Sequence, residues 1–117
     1  MALQEEFEDH AAKAKTLPET TADADKLVLY GLFKQATIGP VNTSRPGIFN
    51  PRDRYKWDAW KAVQAKTKEE AMNDYITKVK QLLEEAAAAA YNARISPELS
   101  LSNFIPAKPL STLILDI

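Results

Sequence analysis

The chain has no cysteine, three glycines and a single histidine, and it lacks any long apolar run. Without cysteine, neither a disulfide framework nor a thiolate zinc site is available, and a reducing compartment suits the protein. His10 has only scattered carboxylates near it in sequence, so it reads as an ordinary surface or boundary histidine and not as a metal ligand. No stretch reaches the ~18 apolar residues that span a bilayer. The acidic start, Met-Ala-Leu-Gln-Glu-Glu-Phe-Glu-Asp-His, has no signal-peptide core. No nucleophile–base pair, paired acid or metal cluster is evident either, so neither catalytic residues nor a cofactor are expected. At 117 residues the expectation is one soluble, cytoplasmic, monomeric domain.

What is present is unevenly distributed. The formal net charge is -1, yet residues 30–62 hold six cations (Lys34, Arg45, Arg52, Arg54, Lys56, Lys61) against Asp53 and Asp58. That segment therefore carries +4 and the remainder -5. One basic face on an acidic protein points to a compact anionic ligand and away from nucleic-acid coating.

Apolar periodicity reads as four helices. Leu3, Phe7, Ala11 and Ala14 recur at helical spacing and end near Leu17-Pro18. A second helix runs from about Asp25 to Thr37, after a loop where Thr20, Thr21 and Asp23 compete as caps. It carries Leu27, Tyr30 and Lys34 on one side and Val28, Leu32 and Ala36 nearer the other. Gly31 beside Tyr30 leaves a gap where a ligand could approach the backbone. Gly39-Pro40 ends this helix and Arg45-Pro46-Gly47 marks another turn, with Asn42 and Thr43 tying down the loop through local side-chain bonds. Asn50-Pro51 starts a third helix, in which Trp57, Trp60 and Val63 should pack toward the core. Lys56 projects about 100° from Trp57, at the rim. Thr67-Lys68-Glu69-Glu70 is a capping box for a fourth helix. Its stripe is Ala71, Tyr75, Val79, Leu82 and Ala86, widened by Met72, Ile76 and Leu83. Pro97, Pro106 and Pro109 then break helical continuity. Residues 91–117 are expected to be a mostly disordered extension with an apolar end.

Three motifs in order carry a resemblance. Tyr30, Phe33, Lys34, Gln35, Ala36, Thr37, Gly39, Asn42, Thr43, Arg45, Pro46 and Gly47 fit one pattern; Lys56-Trp-Asp-Ala-Trp60 and Ala71-Met-x-x-Tyr-Ile-x-Lys-Val79 are the others. Together, over roughly residues 3–90, the chain resembles the acyl-CoA-binding protein family. Its Gly-Pro-Val-Asn-Thr-Ser run is most similar to small plant members. The resemblance implies an all-α, four-helix up-down-down-up bundle over 3–90. It implies a non-enzymatic carrier and pool former for long-chain acyl-CoA, touching membranes or acyl-CoA-using enzymes only transiently. It also implies that Lys34 and Lys56 meet the ligand's phosphates, the 3'-phosphate especially, that Tyr30 stacks on adenine or contacts its phosphate, and that Tyr75 hydrogen-bonds near the ribose or phosphate. Lys15, Gly31, Leu32, Phe33 and Arg52 would line the rest. Phe33 stands where the family commonly has tyrosine, and Tyr55 where it usually has a small residue. The competing reading is a helical interaction module whose basic face binds an acidic partner or membrane headgroups.

Overall fold

The computed structural model describes residues 2–95, with side chains to Ala93. It contains α1 (Leu3–Ala14), α2 (Asp23–Thr37), α3 (Pro51–Ala62) and α4 (Lys68–Ile95), and no strand among the described residues. α2 is the hub: it packs on both α3 and α4, while α1 lies on α4. The expected extension begins as a continuation of α4 to Ile95; its remainder, residues 96–117, lies outside the described residues.

The core follows the stripes. Phe7, Ala14, Leu29, Leu32, Ala36, Ala71, Tyr75, Ile76, Val79 and Leu82 are buried together. α1 is anchored by an aromatic trio: the Phe7 ring lies 5.0 Å from Tyr75 and 5.5 Å from Phe33. Aromatic pairs at such separations add about 0.5–1.5 kcal/mol each beyond the area they bury.

The helix ends are chemically specified. The Thr67 hydroxyl accepts the Glu70 N–H at 3.0 Å, and the Glu70 carboxylate accepts the Thr67 N–H at 2.8 Å, so the expected capping box is formed. α2 stops where Gly39 turns to a φ of 102°, a conformation that a Cβ disfavours. The freed Gly39 carbonyl accepts the Trp60 indole N–H at 2.7 Å.

The connection 38–50 is stapled to α3 by side chains of that helix. Trp57 Nε1–H donates to the Thr43 carbonyl at 3.0 Å, Arg54 donates to the Pro46 carbonyl at 2.9 Å, and Arg45 forks onto Asp58 at 3.0 and 2.8 Å. Trp57 therefore faces this loop and only Trp60 is buried, which corrects the expectation that both indoles enter the core. Thr43 contributes its backbone carbonyl to the tie, not the local side-chain bond expected of it.

Val28 is exposed, and Leu29 is buried. Two further expectations are corrected. The α2 cap is Ala22, so none of Thr20, Thr21 or Asp23 fills that role. His10 is buried, not superficial. Its Nδ1 lies 2.8 Å from the Glu6 carbonyl, and because a carbonyl oxygen only accepts, Nδ1 carries the proton and donates.

Candidate functional site

A cavity of about 360 Å³ opens between α1, α2 and α4. Its floor is Phe7, Leu29, Phe33 and Tyr75, with Ala11 and Ala14 giving room on the α1 side. Small residues on one wall and rings on the floor make a slot suited to hydrocarbon. Polar groups stand only at the edge: Gln4, Glu8, Lys15 and Thr37.

Tyr75 is 4% exposed and lines this cavity, so its ring is held in the core. Burial pushes its phenol up to about 12. The raised value has a consequence for stability. Above about pH 10 the unfolded chain loses that proton while the folded one keeps it, so stability is complete below pH 10 and falls as pH rises toward 12. The expected slope is about 1.4 kcal/mol per pH unit across that window. Tyr30 shifts the same way, chiefly by desolvation and then by the Asp53 charge, and adds to it. Lys26 opposes the trend at its lower edge: burial lowers its pKa, so folding gains as that amine deprotonates. Urea melts at stepped alkaline pH should show the decline, and Tyr75→Phe should flatten it.

A second cluster lies on the α2–α3 side. Lys56 Nζ sits 4.8 Å from the Tyr30 ring centroid, and Lys34 Nζ sits 5.0 Å from the Trp60 ring and 6.0 Å from that of Tyr30. Two ammonium groups are thus parked on two aromatic faces, each arrangement a cation–π contact. Neither lysine has an acidic partner in the ion pairs formed among the described residues. Phe33 joins the two halves. It is the neighbour of Lys34 in sequence, lies one helical turn past Tyr30, and its ring is 6.0 Å from that of Tyr75.

The profile of the family described as acyl-CoA-binding protein matches residues 4–79. The acyl-CoA-binding protein of Ricinus communis is 74% identical over 90 residues, covering 77% of this chain and all of that protein. This chain belongs to the acyl-CoA-binding protein family. Acyl-CoA-binding domain-containing protein 1 of Oryza sativa is 76% identical over 90 residues, covering 77% of this chain and 99% of its own length. The crystal structure of Oryza sativa acyl-CoA-binding protein 2 superposes with a TM-score of 0.72 at 76% identity, over 73% of this chain and 92% of that one. The structure from Moniliophthora perniciosa follows at 0.66 and 33% identity, over 83% of this chain and 97% of that one. The all-α bundle of this family is therefore the fold, and the high-identity relatives are small plant proteins. The interaction-module reading is not favoured.

The residues expected at the family site fall into two clusters, with Arg52, Leu32 and Gly31 outside both. Lys15, Phe33 and Tyr75 line the apolar cavity, and Tyr30, Lys34 and Lys56 form the cationic–aromatic cluster. Arg52 occupies a separate hollow with Phe49, Asn50, Pro51 and Asp53. Leu32 is a core residue, 4% exposed. Gly31 offers no gap to a ligand, because a Cβ there would stand 2.3 Å from the Ala59 carbonyl oxygen of α3. Its lack of a side chain serves helix–helix contact, which corrects the earlier reading. Sequence reasoning also treated Phe7 and Trp60 as packing alone and passed over Leu29, whereas Phe7 and Leu29 floor the cavity and Trp60 supports Lys34. A signal for the last was available, since the basic segment 34–61 contains both indoles. Among the described residues no group of acidic or imidazole side chains gathers as a metal site, and no helix is long and apolar enough to cross a membrane.

Proposed function

We propose that this chain binds long-chain acyl-CoA esters with high affinity and acts as their carrier and pool former. The observation that carries the reading is that one helix, α2, contributes to both an apolar slot, through Leu29 and Phe33, and a pair of ammonium groups held over aromatic rings, through Tyr30 and Lys34. Such a ligand presents two opposite needs, a hydrocarbon to shelter and a multiply charged nucleotide to hold. Burial of a sixteen-carbon tail is worth roughly 10 kcal/mol at ~0.8 per methylene, before ordering costs. Nanomolar affinity needs about -12 kcal/mol, so the tail is insufficient alone and the lysines must supply the balance.

Lys34 and Lys56 take the phosphates, and the 3'-phosphate above all, as point charges that need no bidentate geometry. Tyr30 stacks on adenine or contacts its phosphate, and Tyr75 hydrogen-bonds near the ribose or phosphate. Lys15 guards the cavity edge and Arg52 adds charge from its hollow. The role is to hold and hand over the thioester, with no bond made or broken, in the cytoplasm and as a monomer that exchanges ligand at membranes or with acyl-CoA-using enzymes.

Calorimetry with palmitoyl-CoA, CoA and palmitate tests this reading. The expected order is palmitoyl-CoA tightest, then CoA, then palmitate. Absence of both heat and thermal stabilisation with palmitoyl-CoA would overturn it.

A further inference from the structure

The most exposed large apolar side chains among the described residues are neighbours: Ile48 at 71% and Phe49 at 90%. They occupy the two central positions of a turn closed by the Asn50 N–H on the Gly47 carbonyl at 3.0 Å. Turn tips ordinarily carry Gly, Asn, Asp or Ser, whose side chains are at ease in water. Two bulky hydrophobes there contribute nothing to the core. The tip is also held in place, because Arg54 grips the Pro46 carbonyl on one side and Pro51 begins α3 on the other.

The charge around this tip is selective. Arg45 is paired with Asp58, which leaves Arg52, Arg54 and Lys56 as the nearby cations, Arg54 held on the neutral Pro46 carbonyl, with Asp53 opposing them. Arg52 shares a hollow with Phe49 itself. One turn on, Tyr55 is 55% exposed on the Arg52 face. An apolar point, flanking cations and a half-exposed phenol together form the profile of a shallow membrane contact. The hydrophobes enter the interface, the cations meet lipid phosphates, and the phenol stays at headgroup level.

We propose that the Ile48–Phe49 turn is a membrane-contact wedge that seats the protein on anionic bilayers. A bilayer fits better than a folded partner because the tip is convex: a protein would need a matching concave pocket, whereas lipid yields to any protrusion. The inference rests on the carrier reading only for its purpose, since a carrier gains from meeting an amphiphilic ligand where it partitions. The contact itself needs no bound ligand. Lys56 lies one turn beyond Arg52, so a wedge-down pose also brings the Tyr30–Lys56 pair toward the surface.

The test uses the ligand-free full chain with vesicles of phosphatidylcholine alone or with about 30% phosphatidylserine. Flotation should show binding to the mixed vesicles, weakening as salt rises from about 50 to about 500 mM. The double variant Ile48→Ser, Phe49→Ser should partition about tenfold more weakly while keeping its palmitoyl-CoA affinity in vesicle-free solution. A second measurement leaves the tip intact. Because the chain has no cysteine, Gly47→Cys gives a single labelling position, and a Cβ there meets nothing within 4 Å. An environment-sensitive fluorophore at that position should brighten and shift blue with the mixed vesicles only.

Equal flotation of wild type and double variant would overturn the proposal, as would an unresponsive fluorophore or no flotation of the wild type. A wild-type dimer in sedimentation velocity that the double variant abolishes would assign the patch to a second copy instead. Vesicle binding without palmitoyl-CoA binding would sink the carrier reading and leave the wedge standing.

Discussion

Gly31→Ala lowers the unfolding free energy by about 2–3 kcal/mol, a drop in Tm of about 10 °C for a domain of this size. Helix propensity alone argues the opposite sign. Alanine inside a helix is favoured over glycine by about 1 kcal/mol, so the substitution would ordinarily stabilise α2. Here the new methyl carbon would sit 2.3 Å from the Ala59 carbonyl oxygen, 2.7 Å from its carbon and 3.2 Å from the Trp60 nitrogen. All three are backbone atoms of α3, which cannot rotate away as a side-chain tip could. Relief requires α3 to move as a body, against the Trp60–Gly39, Trp57–Thr43 and Arg45–Asp58 bonds that hold it. Overpacking therefore exceeds the propensity gain. The measurement is a urea melt of Gly31→Ala beside Gly47→Ala, whose added carbon meets nothing within 4 Å and should change stability by less than about 0.5 kcal/mol. Equal stability of the two variants would show that α2 and α3 are not in backbone contact.

The same pair of glycines marks the boundary of what a sequence can disclose. Periodicity placed all four helices, and the reciprocal Thr67–Glu70 cap was readable because it is local, spanning one helical turn. The buried stripe of α4 was readable for a similar reason: Ala71, Tyr75, Val79 and Leu82 repeat at a spacing that leaves one choice of face. Gly31 was misread because a glycine's purpose depends on what lies opposite, and Ala59 is distant in sequence. Leu29 went unnoticed as a core residue because α2 is apolar over a wide arc. A helix that packs on two neighbours has no single inward face, and periodicity then loses its resolving power.

Polar burial was the least legible feature. Lys26 is 0% exposed, with its ammonium donating to the Glu19 carbonyl at 3.2 Å, and Gln35 is 2% exposed, donating to the Lys66 carbonyl at 2.6 Å. Each side chain ties a connection to the hub helix: Lys26 the α1–α2 loop, Gln35 the α3–α4 link. Their types predict exposure, and only the position of a distant carbonyl reverses that. For the site, the family resemblance named Tyr30, Lys34, Lys56 and Tyr75 as candidates, yet it carried no information on grouping. Tyr75 belongs with the apolar floor, while Tyr30 belongs with the lysines.

That grouping sets the second large effect. Lys34→Ala and Lys56→Ala should each weaken palmitoyl-CoA binding about tenfold, consistent with roughly 1.4 kcal/mol for a partly desolvated charge-assisted contact to phosphate. A fully exposed ion pair would supply less than about 1 kcal/mol. Both ammonium groups lie against aromatic faces, where water is partly excluded, so the larger value applies. The two losses should not add simply. Lys34 and Lys56 flank the same Tyr30 ring, at 6.0 and 4.8 Å, so removing one alters the seat of the other. A double-mutant cycle should return a coupling above about 0.5 kcal/mol, with Tyr30→Ala abolishing it. Salt separates this account from a structural one. Wild-type affinity should fall with ionic strength, and the double variant's should fall less steeply. Helical content and Tm should stay nearly constant, because neither lysine belongs to the buried core. Unchanged affinity in well-folded variants would remove these lysines from the ligand and leave the hydrocarbon slot as the whole of the site.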